Sequence, residues 1–311
     1  MKLKSFLPFL GLILFIYLIY SIGLNTLAKA FVNVNTTYLL LGSLAILLKP
    51  ILESLKWYSI LRYQGIKIDF PYIFRVNFIS QYYGAITPGK VGSLMKAVYL
   101  RKKLNKPLAF TSSSVMIDRI LDLIVVAGMA AVGLLILADA FFIDFNKTII
   151  LIVLILVGCL ILLNKNLTKV FLKIAYTYFA PNKYKSKLRE GFYNFYDNFP
   201  KAQNFIIPFL ITATIWVFMY SIHYAFALAF SVTQIPFIPF IMINALGTII
   251  ALIPITISGL GTREAFYLGA LGVYGAQPEN IILMSVVGTV ILTTIYVVGG
   301  LICLYEGKVT L

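Results

Sequence analysis

A chain of 311 residues that is 60% hydrophobic and only 12% charged, with a mean hydropathy of +0.93, is not an ordinary soluble domain, whose charged share is about a quarter. It reads as an integral membrane protein of about six to eight apolar segments joined by short loops, which leaves no length for a soluble catalytic domain. The formal charge of +15 would point to nucleic acid in a soluble protein. Here the cations fall between apolar runs, at Lys2, Lys4, residues 62–106 and residues 165–201. That is the pattern of cytoplasmic segments facing anionic lipid headgroups, so no nucleic-acid partner is expected.

Residues 5–24 form an apolar run of roughly the 20 residues a bilayer requires, and Lys2 and Lys4 before it place the N-terminus in the cytoplasm. Ala28-Lys29-Ala30 resembles a cleavage site, but the run exceeds a signal-peptide core, so it is read as a retained first span. A polar external stretch, 25–37, leads to a second span, 38–61, interrupted at Lys49-Pro50. Glu53 and Lys56 stand three apart on one helical face of it, in position to pair. Residues 70–86 are apolar apart from Arg75, Asn77 and Gln81. A break at Thr87-Pro88-Gly89 separates them from 91–100, and Arg101, Lys102 and Lys103 follow at once. Two short segments between cationic loops predict a hairpin that enters from the cytoplasm and returns there. Such backbone survives at membrane depth only where protein or a watery cavity satisfies it.

The next span, 107–138, carries Asp118, Arg119 and Asp122, the two acids sharing a face at i,i+4. Ionisable groups cost at least about 2.5 kcal/mol each at a helix centre, which makes them functional candidates, with a structural salt bridge as the competing reading. After an external turn, 139–147, a span over 148–163 returns to a basic loop, 164–204. There Lys173, Tyr176, Tyr178, Lys183, Tyr184, Lys187, Phe192 and Tyr193 alternate as in a segment lying on an anionic membrane. Residues 205–230 cross outward with Trp216 and the single histidine, His223, read as glue between helices. Residues 236–257 enter from outside, break at Ser258-Gly259-Leu260-Gly261, and return through 265–274, where Gly269, Gly272 and Gly275 offer a small-residue side for packing. A last span, 281–305, leaves the C-terminus in the cytoplasm. Cys159 and Cys303 lie in separate spans, so neither a disulfide nor a metal site is expected.

The expected fold is an all-α polytopic membrane protein of about six transmembrane helices plus two re-entrant helical hairpins. It forms a single domain over 1–311, with inverted halves of about 1–138 and 148–311. Inverted repeats with discontinuous helices place substrate between the breaks, near the midplane. A helix broken inside the membrane exposes amides at the start of its second arm, which favour an anion such as phosphate. Arg263 beside Gly259 and Gly261, and Lys90 and Lys96 around Gly89 and Gly92, are placed to add charge-assisted contacts, while the glycines admit the headgroup to the backbone. Glu264 is expected to hold Arg263 or Arg119 until substrate arrives. With Asp118, Arg119 and Asp122 these residues make up the candidate binding site; the architectural alternative is that the breaks and ion pairs only shape the fold.

Pro88-Gly89-Lys90-Val91-Gly92-Ser93-Leu94, Ile117-Asp118-Arg119-Ile120-Leu121-Asp122, and Ile253-Pro254 through Gly259-Leu260-Gly261-Thr262-Arg263-Glu264-Ala265 together resemble the transmembrane region of lysylphosphatidylglycerol synthases, the flippase-like domains. The resemblance covers essentially the whole chain. It implies a domain that moves charged lipids between leaflets, with hairpins facing a central cavity. One departure is Ser93, where the family often has Glu, so an acidic contact to an aminoacyl headgroup does not carry over. The aminoacyl-transfer domain of two-part members has no counterpart here, so a transporter in the plasma membrane is expected and synthase activity is not.

The expected cargo is an anionic or aminoacylated phospholipid, or a polyprenyl-phosphate lipid of the kind handled by relatives fused to glycosyltransferases. Two other readings stand beside it: a small-solute or ion transporter on the same scaffold, and a membrane subunit of lipid-linked sugar biosynthesis. No metal cluster, Ser-His-Asp set or nucleotide loop supports an enzyme or a cofactor. A homo-oligomer is compatible with the sequence.

Overall fold

The computed structural model describes residues 7–141, 150, 153–154, 157–161, 163–164, 166–170, 190–252 and 259–307. All regular structure among them is helical: α1 Leu7–Ile22, α2 Leu24–Val32, α3 Thr36–Ala45, α4 Lys49–Tyr63, α5 Phe70–Ile86, α6 Met95–Leu104, α7 Leu108–Phe141, α8 Ile206–Ala229, α9 Phe237–Leu252, α10 Thr262–Gly272 and α11 Pro278–Tyr305. Among the described residues three helical stretches are long and apolar enough to cross a membrane, Thr36–Tyr63, Gln203–Ala229 and Pro278–Tyr305. A fourth joins them if α1 and α2 are one broken span.

The N-terminal run does not continue straight. Gly23, at φ 90°, bends the chain by 78° between α1 and α2, and α2 belongs to the stretch expected to be an external connection. Lys49-Pro50, by contrast, does not break its span. Proline is tolerated in a first helical turn, and the 3-10 turn Ile46–Leu48 hands α3 directly to α4. The carbonyl of Pro50 accepts from Ser54 Oγ at 2.6 Å and from Asn77 Nδ2 on α5 at 3.3 Å. This accounts for one of the polar residues inside the apolar α5.

α5 ends where Thr87, preceding a proline, takes an extended conformation. The chain runs through the 3-10 segment Pro88–Leu94 into α6, which stops at Asn105 in the left-handed conformation. Arg101, Lys102 and Lys103 occupy the last turn of α6, where cations suit the helix dipole. Among the second-half elements, α9 leads to residues 253–258, which lie outside the described set, and α10 begins at Thr262.

Among the described residues the apolar side chains gather in two larger cores and one small cluster. One joins α7 to α11 around Phe226, Phe240, Ile243, Tyr220 and Leu271; the other joins α4, α5 and α6 around Trp57, Ile73, Val76 and Tyr99. Close helix contacts rest on small residues facing large ones. A methyl on Gly299 would overlap the Phe78 ring, and one on Gly247 the Tyr267 ring. The glycines expected to pack α10 do less: Gly272 and Gly275 face open space.

The turn expected over 139–147, much of the 148–163 span and the Lys-Tyr alternation over 171–189 fall outside the described residues. In the described part of the basic loop Tyr193 is exposed, whereas Tyr196 is buried and Phe192, Phe195 and Phe199 are half-buried. Tyr196 stacks on Phe192 and Phe199, Phe199 stacks on Phe205, and Phe199 and Phe205 pack on Ile60, Ile117 and Leu121. Cys159 and Cys303 are buried free thiols.

Candidate functional site

The first break is organised by side chains that do what the lost helix bonds no longer do. Thr87 Oγ1 donates to the Tyr83 carbonyl at 2.7 Å and accepts from the Gly92 amide at 2.8 Å. Gly92 has to be glycine because a Cβ there would overlap the Tyr83 carbonyl. Lys90 sits at φ 56°, a left-handed conformation uncommon for a side-chain-bearing residue. Ser93 Oγ donates to the Lys90 carbonyl at 2.7 Å, which holds that turn closed. The Lys90 side chain is exposed.

Beside this break, α4 and α7 carry a buried ionic network. Asp118 takes Lys56 Nζ at 2.8 Å on one oxygen and Lys96 Nζ at 3.3 Å on the other. Asp122 takes Lys56 Nζ at 2.8 Å and the Trp216 indole N–H of α8 at 2.9 Å. Lys96 Nζ also lies 5.1 Å from the centre of the Trp57 ring, a cation–π contact in a desolvated place. Arg119, on the next residue of α7, points elsewhere. It donates to Ser93 Oγ at 2.7 Å and reaches Asp122 only at 4.0 Å, with its side chain 32% exposed.

One turn N-terminal on α4, Lys49 pairs with Glu53 at 2.5 Å. The Tyr296 hydroxyl of α11 accepts from Lys49 at 2.9 Å and donates to Glu53 at 2.7 Å, and Gln81 Nε2 of α5 donates to Glu53 at 3.0 Å. The pairing expected between Glu53 and Lys56 does not form; each finds a partner on the same helix or across the bundle.

At the second break, Gly259 and Gly261 both have positive φ, 79° and 85°. This backbone requirement is what the structure gives them. Glu264, third residue of α10, reaches back to accept the Gly261 amide at 2.7 Å, the carboxylate half of a capping box. Its other oxygen accepts from Arg263 Nη2 at 2.6 Å, Arg263 Nε at 3.1 Å and Ser285 Oγ at 2.7 Å. Arg263 donates further to Thr289 at 2.8 Å. Of the two partners expected for Glu264, the structure selects Arg263.

His223, Asn244, Arg263, Tyr267, Met284 and Ser285 enclose a cavity of about 10 Å³, at the lower limit for one water. His223 Nδ1 lies 3.2 Å from Asn244 Oδ1, which also accepts from Tyr267 at 2.9 Å. The histidine read as interhelical glue therefore does join α8 to α9, but beside Arg263 and at the edge of the site.

The two breaks meet electrostatically. Lys90 lies in range of Lys49, Glu53, Arg119 and Arg263, and Lys96 in range of Asp118, Arg119, Glu53 and Lys56. Six cations and four carboxylates thus converge among helices of both halves, most of them buried and paired as buried charges must be. Lys96, expected as a substrate contact, is 1% exposed and committed to Asp118. Gly89 contributes backbone to the 3-10 segment. Sequence reasoning missed Lys49 and Tyr296, and it read Glu53 and Lys56 as a pair on one helix face rather than as members of the site. The signal for Lys49 was its i,i+4 spacing to Glu53 across a proline that looked like an interruption.

An all-helical bundle with apolar membrane-length helices around a buried ionic cluster is an integral membrane protein. The chain belongs to the lysylphosphatidylglycerol synthase TM region family, whose model matches residues 6–300. It is similar to the UPF0104 membrane protein MJ1595 of Methanocaldococcus jannaschii, with 25% identity over 279 residues covering 83% of this chain and 81% of that one. It is also similar to a UPF0104 membrane protein of Methanothermobacter thermautotrophicus, with 27% identity over 331 aligned positions covering 97% and 93%.

Proposed function

We propose that the protein is a lipid translocase in which an anionic headgroup passes between the two breaks while its tails remain in the bilayer. The observation that carries this reading is the gathering of charged side chains beside both breaks: Lys49, Glu53, Lys56, Lys96, Asp118, Arg119 and Asp122 near the first and Arg263 with Glu264 at the second, with Lys90 within electrostatic range of Lys49, Glu53, Arg119 and, most weakly, Arg263. Charges that cost so much in an apolar bundle are kept where they serve a charged passenger. In this reading α5 and α6 are the arms of one re-entrant hairpin, and α9 and α10 the arms of the other. The two halves are inverted copies, the termini face the cytoplasm, and the protein acts in the plasma membrane without a covalent step.

Reconstitution in liposomes with a fluorescent anionic phospholipid in one leaflet tests the reading. Arg119→Ala and Arg263→Ala are expected to slow its appearance in the other leaflet by tenfold or more, a loss of about 1.4 kcal/mol of stabilisation of the passing headgroup. Movement as fast as in the parent protein would refute the site. Single-cysteine labelling addresses the topology: in a background without Cys159 and Cys303, a cysteine at Arg101 is expected to react only from the side of the N-terminus.

A further inference from the structure

Pairing the ionic groups one to one leaves a remainder. Lys49 with Glu53, Lys56 with Asp122, Lys96 with Asp118 and Arg263 with Glu264 use every carboxylate of the cluster. Lys90 and Arg119 are left over. Arg119 reaches a carboxylate only at 4.0 Å, spends one donor on Ser93, and is 32% exposed. Lys90 makes no side-chain hydrogen bond or ion pair among the described residues and is exposed.

The two leftover cations are also tied together. Ser93 Oγ accepts from the Arg119 guanidinium and donates to the Lys90 carbonyl, so one buried hydroxyl fixes the turn that presents Lys90 and the fork of Arg119.

We propose that this site takes a headgroup carrying two negative charges on one phosphorus, a phosphate monoester, with Lys90 and Arg119 as its ligands. The proposal rests on the translocase reading and narrows its cargo. A monoester carries about −1.5 to −2 at pH 7, which matches two unbalanced cations. A phosphodiester headgroup leaves one of them uncompensated, and a lysylated diester, net cationic, leaves more. The geometry suits the ligand: Arg supplies a planar fork for two oxygens and Lys a mobile point charge. The same chemistry is borne by a monoester lipid and by free phosphate.

The test is binding to the full-length protein purified in detergent. The probes are inorganic phosphate, dioctanoyl phosphatidic acid, dioctanoyl phosphatidylglycerol and a short-chain lysyl-phosphatidylglycerol. Phosphatidic acid is expected to bind at least about tenfold more tightly than phosphatidylglycerol, and more tightly still than the lysyl lipid. Lys90→Gly keeps the left-handed backbone without strain and is expected to bring that preference below about threefold. Lys90→Arg is expected to retain it. Displacement of phosphatidic acid by inorganic phosphate assigns recognition to the phosphate alone, whereas no displacement assigns it to the lipid-borne group, and both results accord with the proposal.

Equal or tighter binding of phosphatidylglycerol or its lysyl ester overturns it, as does a Lys90→Gly protein that keeps the tenfold preference. Transbilayer movement measured on the same preparations separates the two claims. Movement of diester lipid without monoester preference overturns this inference and leaves the translocase standing; monoester preference without movement does the reverse.

Discussion

Glu264 is fully buried and accepts four hydrogen bonds, from the Gly261 amide, two nitrogens of Arg263 and the Ser285 hydroxyl. Glu264→Gln keeps the shape and removes the charge. The amide has one acceptor oxygen, so with that oxygen toward Arg263 and Ser285 its NH2 group opposes the Gly261 N–H, leaving two donors face to face at the start of α10. An orphaned buried donor costs about 1–3 kcal/mol, and stranding the partner of a buried ion pair about 3–5 kcal/mol. Arg263 retains its bond to Thr289, so the sum falls near 4 kcal/mol, which corresponds to a loss of roughly 8–16 °C in the apparent unfolding midpoint for a chain of this size.

Removing both charges with Arg263→Met/Glu264→Met leaves nothing stranded and is expected to melt above Glu264→Gln, with a coupling energy of about 1–3 kcal/mol between the two positions. The measurement is thermal unfolding in detergent at one fixed heating rate, because membrane proteins seldom unfold reversibly. A Glu264→Gln protein melting within about 2 °C of the parent, or a double variant that loses the sum of the single losses, would refute this account of the pair. The double variant has a second use: folded yet unable to move lipid, it separates the structural part of Arg263 from its part in transport.

Two further substitutions probe the first break. Lys90→Gly relieves a left-handed residue that costs roughly 1 kcal/mol and is expected to raise the unfolding midpoint by a few degrees while slowing lipid movement, the exchange of stability for function seen at strained sites. A lowered midpoint would show that the strain is not where the backbone places it. Gly92→Ala drives a methyl into the Tyr83 carbonyl and is expected to cost about 1–3 kcal/mol by overpacking, read as an earlier unfolding transition and loss of monodispersity on gel filtration. A parent-like profile would mean the break relaxes freely.

How much of this was legible in the sequence follows from what kind of signal each feature left. Helix existence was legible, because long apolar runs have few alternatives in a membrane, and so were the ends at Thr87-Pro88 and Gly259 to Gly261, where backbone chemistry is local. Asp118, Arg119 and Asp122, and Arg263 with Glu264, stood out because charge inside apolar sequence is rare. Partner choice was not legible. Glu53 and Lys56 share a helical face, yet Lys56 turns to two carboxylates on α7 and Glu53 to Lys49, Tyr296 and Gln81, since a multiply satisfied buried charge outweighs an i,i+3 pair worth a few tenths of a kcal/mol. The bend at Gly23 falls where the apolar run gives way to the more polar Leu24–Val32, a change that reads as a loop although the chain continues there as the helix α2. The orientation of Gly272 and Gly275 depended on which neighbour α10 meets, something no local pattern encodes.

Ser93 shows how one such position sets the charge of the whole site. In the resembled family a carboxylate is frequent there, and a carboxylate in contact with Arg119 would neutralise it as Glu264 neutralises Arg263. A hydroxyl makes the same contact, at 2.7 Å, without adding a negative charge, so the cluster keeps two cations in excess instead of one. Introducing the charge reverses this. Ser93→Asp is expected to bind Arg119, to lower the affinity for phosphatidic acid by about tenfold, and to leave phosphatidylglycerol within about threefold of its parent value. Because Ser93 is buried against Gly84, bulk has to be separated from charge, and Ser93→Asn supplies the same volume without it. If Asn weakens phosphatidic acid as much as Asp does, packing explains the loss and the charge argument fails; if only Asp does, the excess of two positive charges is what the site uses to choose its headgroup.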